Sequence, residues 1–195
     1  ELPALCGALA ECGAQKVAGD LVEVSATGFL ASLERARAQS RPSRRAGALD
    51  ELAGAAAGLL VAAVIADDAE VGATLSAALG ADDERLRCGM PTLRVIAEFA
   101  PEQLTVGAIA GMAQIMRERL SDRIARPARD PDDWSISTPD TCACELCDKL
   151  RAFLLDPASR HMDWPLAEQR RRHVHDRIDS FELPVRHETR RSGQP

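Results

Sequence analysis

Aromatic residues make up only 3% of this 195-residue chain, and tyrosine is missing altogether. Strands draw on aromatic and β-branched side chains, so the shortage argues against a sheet; with abundant Ala and Leu it favours helices. No uninterrupted apolar run reaches the length of a bilayer span, and the longest, Gly58–Ala66, falls well short. That predicts a chain without a membrane partner. Phosphate-binding loops are missing too: Gly107–Gly111 lies within a helical pattern and lacks the Lys-Ser/Thr that follows such a loop. Neither a serine nucleophile elbow nor a zinc-protease H-E-x-x-H occurs. Acidic groups such as Asp67-Asp68 and Asp82-Asp83-Glu84 read as helix-start or solvated charges, not as an acid–base pair in a cleft. Glu1 opens the sequence with neither a Met nor a signal-peptide n-region, which reads as a fragment or a processed chain.

What is present begins with helices. The composition, 46% hydrophobic and 28% charged, is that of a globular protein, and the net charge of -6 gives no global case for nucleic acid. Helical spacing places Leu5, Leu9 and Cys12 on one face of Leu2–Cys12, and a second helix is expected over Leu21–Gln39, with Gly28 a candidate break. Arg41–Arg45 reads as a polar connector. Ala46–Ala66 reads as a buried central helix, and Val71–Leu79 and Pro91–Ala100 as shorter ones. A long helix is expected to start at Pro101 and end near Ala125. No repeat supports a regular solenoid array. The expectation is an all-α fold: an irregular helical bundle or α-solenoid-like body over residues 1–125, a linker at 126–133, and a small zinc-stapled subdomain over 134–195.

The third segment holds the chemistry. All four histidines and half of the six cysteines lie between Cys142 and His187. Thiolate and imidazole are the ligands zinc prefers, and a structural site needs four of them. Cys144 and Cys147 form a C-x-x-C pair, which lets one turn present two thiolates. His173 and His187 are the distant partners expected to complete the set, with Cys142 and His175 as alternative ligands. His173 and His175 stand two apart, on different faces of any helix, so both are not expected on one ion. Thiols spaced for a metal suggest a reducing, cytoplasmic setting. A redox C-x-x-C would want a βαβ frame, and none is visible. His161-Met162-Asp163 with His187 mimics a 2-His-1-carboxylate iron triad, but the helical setting and short interval argue against it. The module is predicted to begin in extended or turn structure around Pro139, then to form helices near Cys147–Leu155 and Pro165–Ser180. Leu150, Phe153, Leu154, Leu166, His173 and Ile178 are expected to face inward. Cys6, Cys12 and Cys88 sit alone on apolar helices and read as packing residues.

Four elements in order, Cys142-Ala-Cys144-Glu-Leu-Cys147, Phe153–Pro157, Arg171-Arg172-His173-Val174-His175 and His187–Pro195, give a pattern that resembles a known one. It is similar to the C-terminal Cys/His module of large uncharacterised bacterial, fungal and plant proteins. Some of those are assigned to the 2-oxoglutarate and iron oxygenase superfamily, a label that belongs to a different, upstream domain. The resemblance covers about Trp134–Pro195 and implies shared roles for Cys144, Cys147, His173 and His187.

Three functions compete. The first is a non-catalytic zinc-stabilised helical domain that binds a protein partner or another domain of its parent. The second is a nucleic-acid module using Arg170, Arg171, Arg172, Arg186, Arg190 and Arg191; from residue 149 onward ten Lys/Arg face seven Asp/Glu. Few aromatics are available for base stacking, however, and i,i+4 partners such as Asp176 and Glu182 offer these arginines an ordinary role on a helix surface. The third is a zinc- or iron-dependent enzyme region with one metal position open, for which no general base stands out.

Overall fold

The computed structural model describes residues 1–138 and 142–189, and the fold there is all-helical. Nine α-helices and one short 3-10 helix follow one another with no strand among the described residues. The chain divides into two compact units, Glu1–Gln39 with Arg44–Arg126, and Ser40–Ser43 with Pro127–Pro195.

The first unit is an irregular bundle around its most apolar helix. Helices α1 (Leu2–Glu11), α2 (Gln15–Arg37), α3 (Pro42–Glu51), α4 (Ala53–Ile65), α5 (Ala69–Gly80), α6 (Leu86–Phe99) and α7 (Gly107–Ala125) are joined by short turns. α4 packs against α1, α2, α5 and α6, and Ala56, Ala57, Leu60 and Ala62 are wholly enclosed. A helix hydrophobic all round is what a position at the centre of a bundle calls for. By length and composition alone the stretch Pro42–Ile65 would suffice to cross a membrane, but half of its most apolar window is buried inside the protein.

Several boundaries depart from the sequence expectation. Gly28 does not interrupt α2, which runs for 23 residues, because a glycine in mid-helix costs only about 1 kcal/mol and packing outweighs it. Arg41–Arg45 is not a connector: Pro42 opens α3, a proline lacking an N–H being well suited to a first turn. α6 starts a turn before Pro91. The Asp82 carboxylate accepts the Arg85 N–H at 2.8 Å near the start, and buried Thr92 donates to the Cys88 carbonyl at 2.7 Å beside the proline. The helix expected from Pro101 is two elements, a 3-10 turn over Pro101–Thr105 and then α7. Extended backbone at Val106 and φ +42° at Gly107 separate them, and left-handed φ is open to glycine at no steric cost.

The second unit is smaller. α8 (Glu145–Leu155) and α9 (Glu168–Ser180) bury Leu150, Leu154, Val174 and Ile178 between them, with Ile136, Phe153, Trp164, Leu166, Leu183 and Val185 packed around the edge. The backbone N–H of Trp134 donates to the Pro157 carbonyl at 2.9 Å, fastening the entering chain alongside α8. Both tryptophans carry a cation on one face: Arg160 over Trp134 and Lys149 over Trp164. Pro139, Arg190, Arg191 and the terminal Ser192–Pro195 of the shared pattern lie outside the described residues.

Candidate metal centre

α8 begins at a sulfur. Cys144 occupies the N-cap in extended conformation, and its Sγ accepts the backbone N–H of Cys147 at 3.5 Å. An N-cap normally supplies an oxygen to the unpaired amides of the first turn, and here a thiol does so. The same turn carries Cys147 back over Cys144. From α9, His173 directs Nε2 at both sulfurs, 3.4 Å from Cys144 and 3.3 Å from Cys147.

Cys142 completes the group. The ligand atoms of Cys142, Cys144, Cys147 and His173 all lie within 4.8 Å of one another, and each residue is half-buried. The geometry suits a metal. An ion with sulfur at about 2.3 Å and nitrogen at about 2.0 Å in tetrahedral array keeps those two ligands about 3.5 Å apart. Both observed S···N separations fall close to that value. The four residues together could hold a metal ion.

The charges point the same way. The Cys147 amide, and then Cys142, hold the Cys144 thiol down to about 6, so it is ionised at neutral pH. Burial, and then its cysteine neighbours, push Cys147 up to about 12. Crowded sulfurs resist sharing more than one negative charge, and a divalent cation removes the resistance.

The sequence placed Cys144, Cys147 and His173 in one set, and the structure brings them together. It differs over the fourth member, where Cys142 stands in place of His187. A C-x-C pair disfavours a common ion inside a helix, but α8 starts only at Glu145. In extended backbone, residues two apart face the same side. The signal was available in Cys144 itself, since a residue that caps a helix is not inside it. His187 lies elsewhere. α9 ends in a left-handed residue, Glu182 (φ +49°), where the Leu183 N–H bonds to the Ile178 carbonyl and the Glu182 N–H to that of Asp179. The reversal carries His187 back onto α9, with its ring centroid 4.2 Å from that of His175 and its Nε2 3.8 Å from Asp179 Oδ1. His175 itself is held below the usual imidazole range by burial and then by the neighbouring His187 and Arg171.

Three of the arginines are occupied locally. Arg170 pairs with Glu145 of α8 at 3.0 Å, Arg186 with Glu188 at 2.6 Å, and Arg171 donates to the Leu166 carbonyl at 3.5 Å. His161 is exposed and outside the cluster. Comparison with known proteins adds no family: no family model, no curated protein and no solved structure matches the chain.

Proposed function

We propose that the second unit is a zinc-stapled helical module with a non-catalytic role, presenting a folded surface to a protein partner or to another domain of its parent. The observation that carries this is the convergence of three thiols and one imidazole, whose ligand atoms all lie within 4.8 Å of one another. Sulfur-rich donors favour zinc over the harder divalent ions, and thiolates require a reducing compartment, in keeping with the cytoplasm. A catalytic zinc keeps three protein ligands and an open position; four converging ligands describe a closed, structural site. The closure also explains how so small a core holds, because metal binding contributes folding free energy directly. In the shared pattern, C-x-C-x-x-C would then supply three ligands and the first histidine of R-x-H-x-H the fourth. The nucleic-acid reading draws less support, with Arg170 and Arg186 already paired to carboxylates.

Metal content of the purified, freshly reduced chain tests the reading. We expect a tightly held zinc that survives dialysis, lost in Cys142→Ser, Cys147→Ser and His173→Ala and kept in His161→Ala. A chain carrying no zinc, or a Cys142→Ser variant with full content, would overturn the assignment.

A further inference from the structure

The face of α9 that brings His173 to the sulfurs carries a second residue toward them. Arg177 stands four positions on, one turn along the same face. It is half-buried and takes part in no ion pair among the described residues. Beside it lies a cavity of about 30 Å3, bordered also by Thr138, Cys142, Cys147 and Arg151. Core side chains, Leu150 and Leu154 among them, form the rest of the wall, and Cys144 does not border it. From this juxtaposition we infer an oxidation site: hydrogen peroxide enters the cavity, joins Cys142 to Cys147 as a disulfide, and so expels the metal. The site rests on the zinc reading of the cluster, to which it adds a modification and the reagent that makes it.

Size, charge and reach support it. The cavity has room for roughly one or two water molecules, which admits a two-oxygen oxidant and shuts out a disulfide reagent such as oxidised glutathione. Breaking an O–O bond builds negative charge on the departing oxygen. A guanidinium is a permanent cation with several N–H donors, and Arg177 supplies one that no described carboxylate has claimed. Arg151, by contrast, already pairs with Asp148 at 3.2 Å. The sulfurs lie within 4.8 Å of each other, and a disulfide holds them about 2 Å apart. Cys142 lies in non-helical chain ahead of α8, so its approach to Cys147 leaves the helix intact.

The reaction balances in two steps. One thiolate attacks a peroxide oxygen; the S–O bond forms, the O–O bond breaks, and the departing hydroxide takes a proton to leave as water. The second thiolate then attacks the resulting sulfenic sulfur; the S–S bond forms, the S–O bond breaks, and a second hydroxide leaves as water with another proton. Two thiolates have lost two electrons and one peroxide has gained them. With two of its four ligands withdrawn the zinc departs, and the folding free energy it supplied goes with it. Arg177 is a positioning residue in this sequence, orienting the peroxide and stabilising the first hydroxide.

The test treats the whole zinc-loaded chain with hydrogen peroxide, following released zinc with a chromogenic chelator and mapping disulfides by mass spectrometry. Free glutathione in the same solution sets the ordinary rate of thiol oxidation. We expect one zinc released per peroxide consumed, a Cys142–Cys147 disulfide, release faster than glutathione oxidation, and recovery on reduction and re-addition of zinc. Arg177→Met should slow the peroxide-driven release at least about tenfold. Its zinc content and its rate of zinc loss to a chelator alone should stay those of the native chain, and Arg177→Lys should restore part of the peroxide rate. Release no faster than glutathione oxidation, or a disulfide through Cys144 instead, overturns the site. So does an Arg177→Met variant that loads zinc and responds to peroxide at the native rate. If Arg177→Met fails to load zinc, the native rate and the disulfide map decide. A reduced native chain that holds no zinc strikes instead at the metal centre, and the disulfide formed by the metal-free chain then judges the oxidation site by itself.

Discussion

At the scale of the residue, the proton inventory of the cysteine cluster sets its response to pH. Cys144, at about 6, has already lost its proton at pH 7.5, whereas Cys147, at about 12, has not. Metal binding must expel the Cys147 proton, so affinity rises with pH and falls on acidification. Calorimetry in two buffers of different ionisation enthalpy should show release of at least about one proton per metal; identical apparent enthalpies would contradict this. Asp133 titrates at the acid end. The Arg129 guanidinium and the Ser135 amide hold its carboxyl down to about 2, from an ordinary 3.8. Its folded value is depressed, so its contribution to stability is complete above pH 4 and fades as pH falls toward 2. Asp133→Asn should erase that portion of the acid sensitivity of the second unit. In the first unit, Arg85 is the hub of an ion-pair group, reaching Glu34 at 2.7 Å, Asp82 at 3.5 Å and the Ala78 carbonyl at 3.2 Å. Its side chain is 18% exposed, so Arg85→Ala should lower stability by about 1–2 kcal/mol, screening included, in urea unfolding. None of this network was legible in the sequence, because its members are scattered from residue 34 to residue 85 and only the helix packing assembles them.

At the scale of the element, glycines separate tolerance from constraint. A Cβ added at Gly28 meets nothing within 4 Å, so Gly28→Ala should stabilise α2 by about 0.5–1 kcal/mol. A Cβ at Gly89 would collide with Met116 Cε and sit 3.2 Å from the Leu79 carbonyl oxygen, where α6 crosses α5 and α7. Gly89→Ala should therefore destabilise by about 1–3 kcal/mol despite its better helix propensity. Opposite shifts of the thermal midpoint in the two variants would bear this out; a rise in both would not. Amphipathic spacing made the existence of most helices legible, including α8 and α9 with inward Leu150, Leu154 and Ile178. The ends were not. Pro42 opening α3, Pro91 lodged inside α6 and the break at Val106 depend on capping and on buried hydrogen bonds, which leave no periodic trace. The turn at Glu182 was equally hidden, since a left-handed glutamate is not a residue that announces a reversal. That turn is why His187 stands by His175 and not among the cysteines.

At the scale of the whole molecule, two compact units with separate cores, the cysteine cluster belonging to the second, imply separable unfolding. On the proposed zinc site, a chelator should lower or abolish the thermal transition of the second unit and leave that of the first in place. A single transition that ignores the chelator would contradict both the division and the staple. The position of the ligands along the chain has its own consequence. The three sulfurs are complete at Cys147, while the imidazole follows 26 residues later. A ribosome adding about 5–20 residues per second leaves the nascent thiols without their fourth ligand for roughly one to five seconds. In that interval the helix capped by Cys144 has no partner to cross-link it, and the sulfurs stand open to oxidants and to stray metals. The synthesis of those 26 residues is thus the interval in which the cysteine cluster is most easily spoiled.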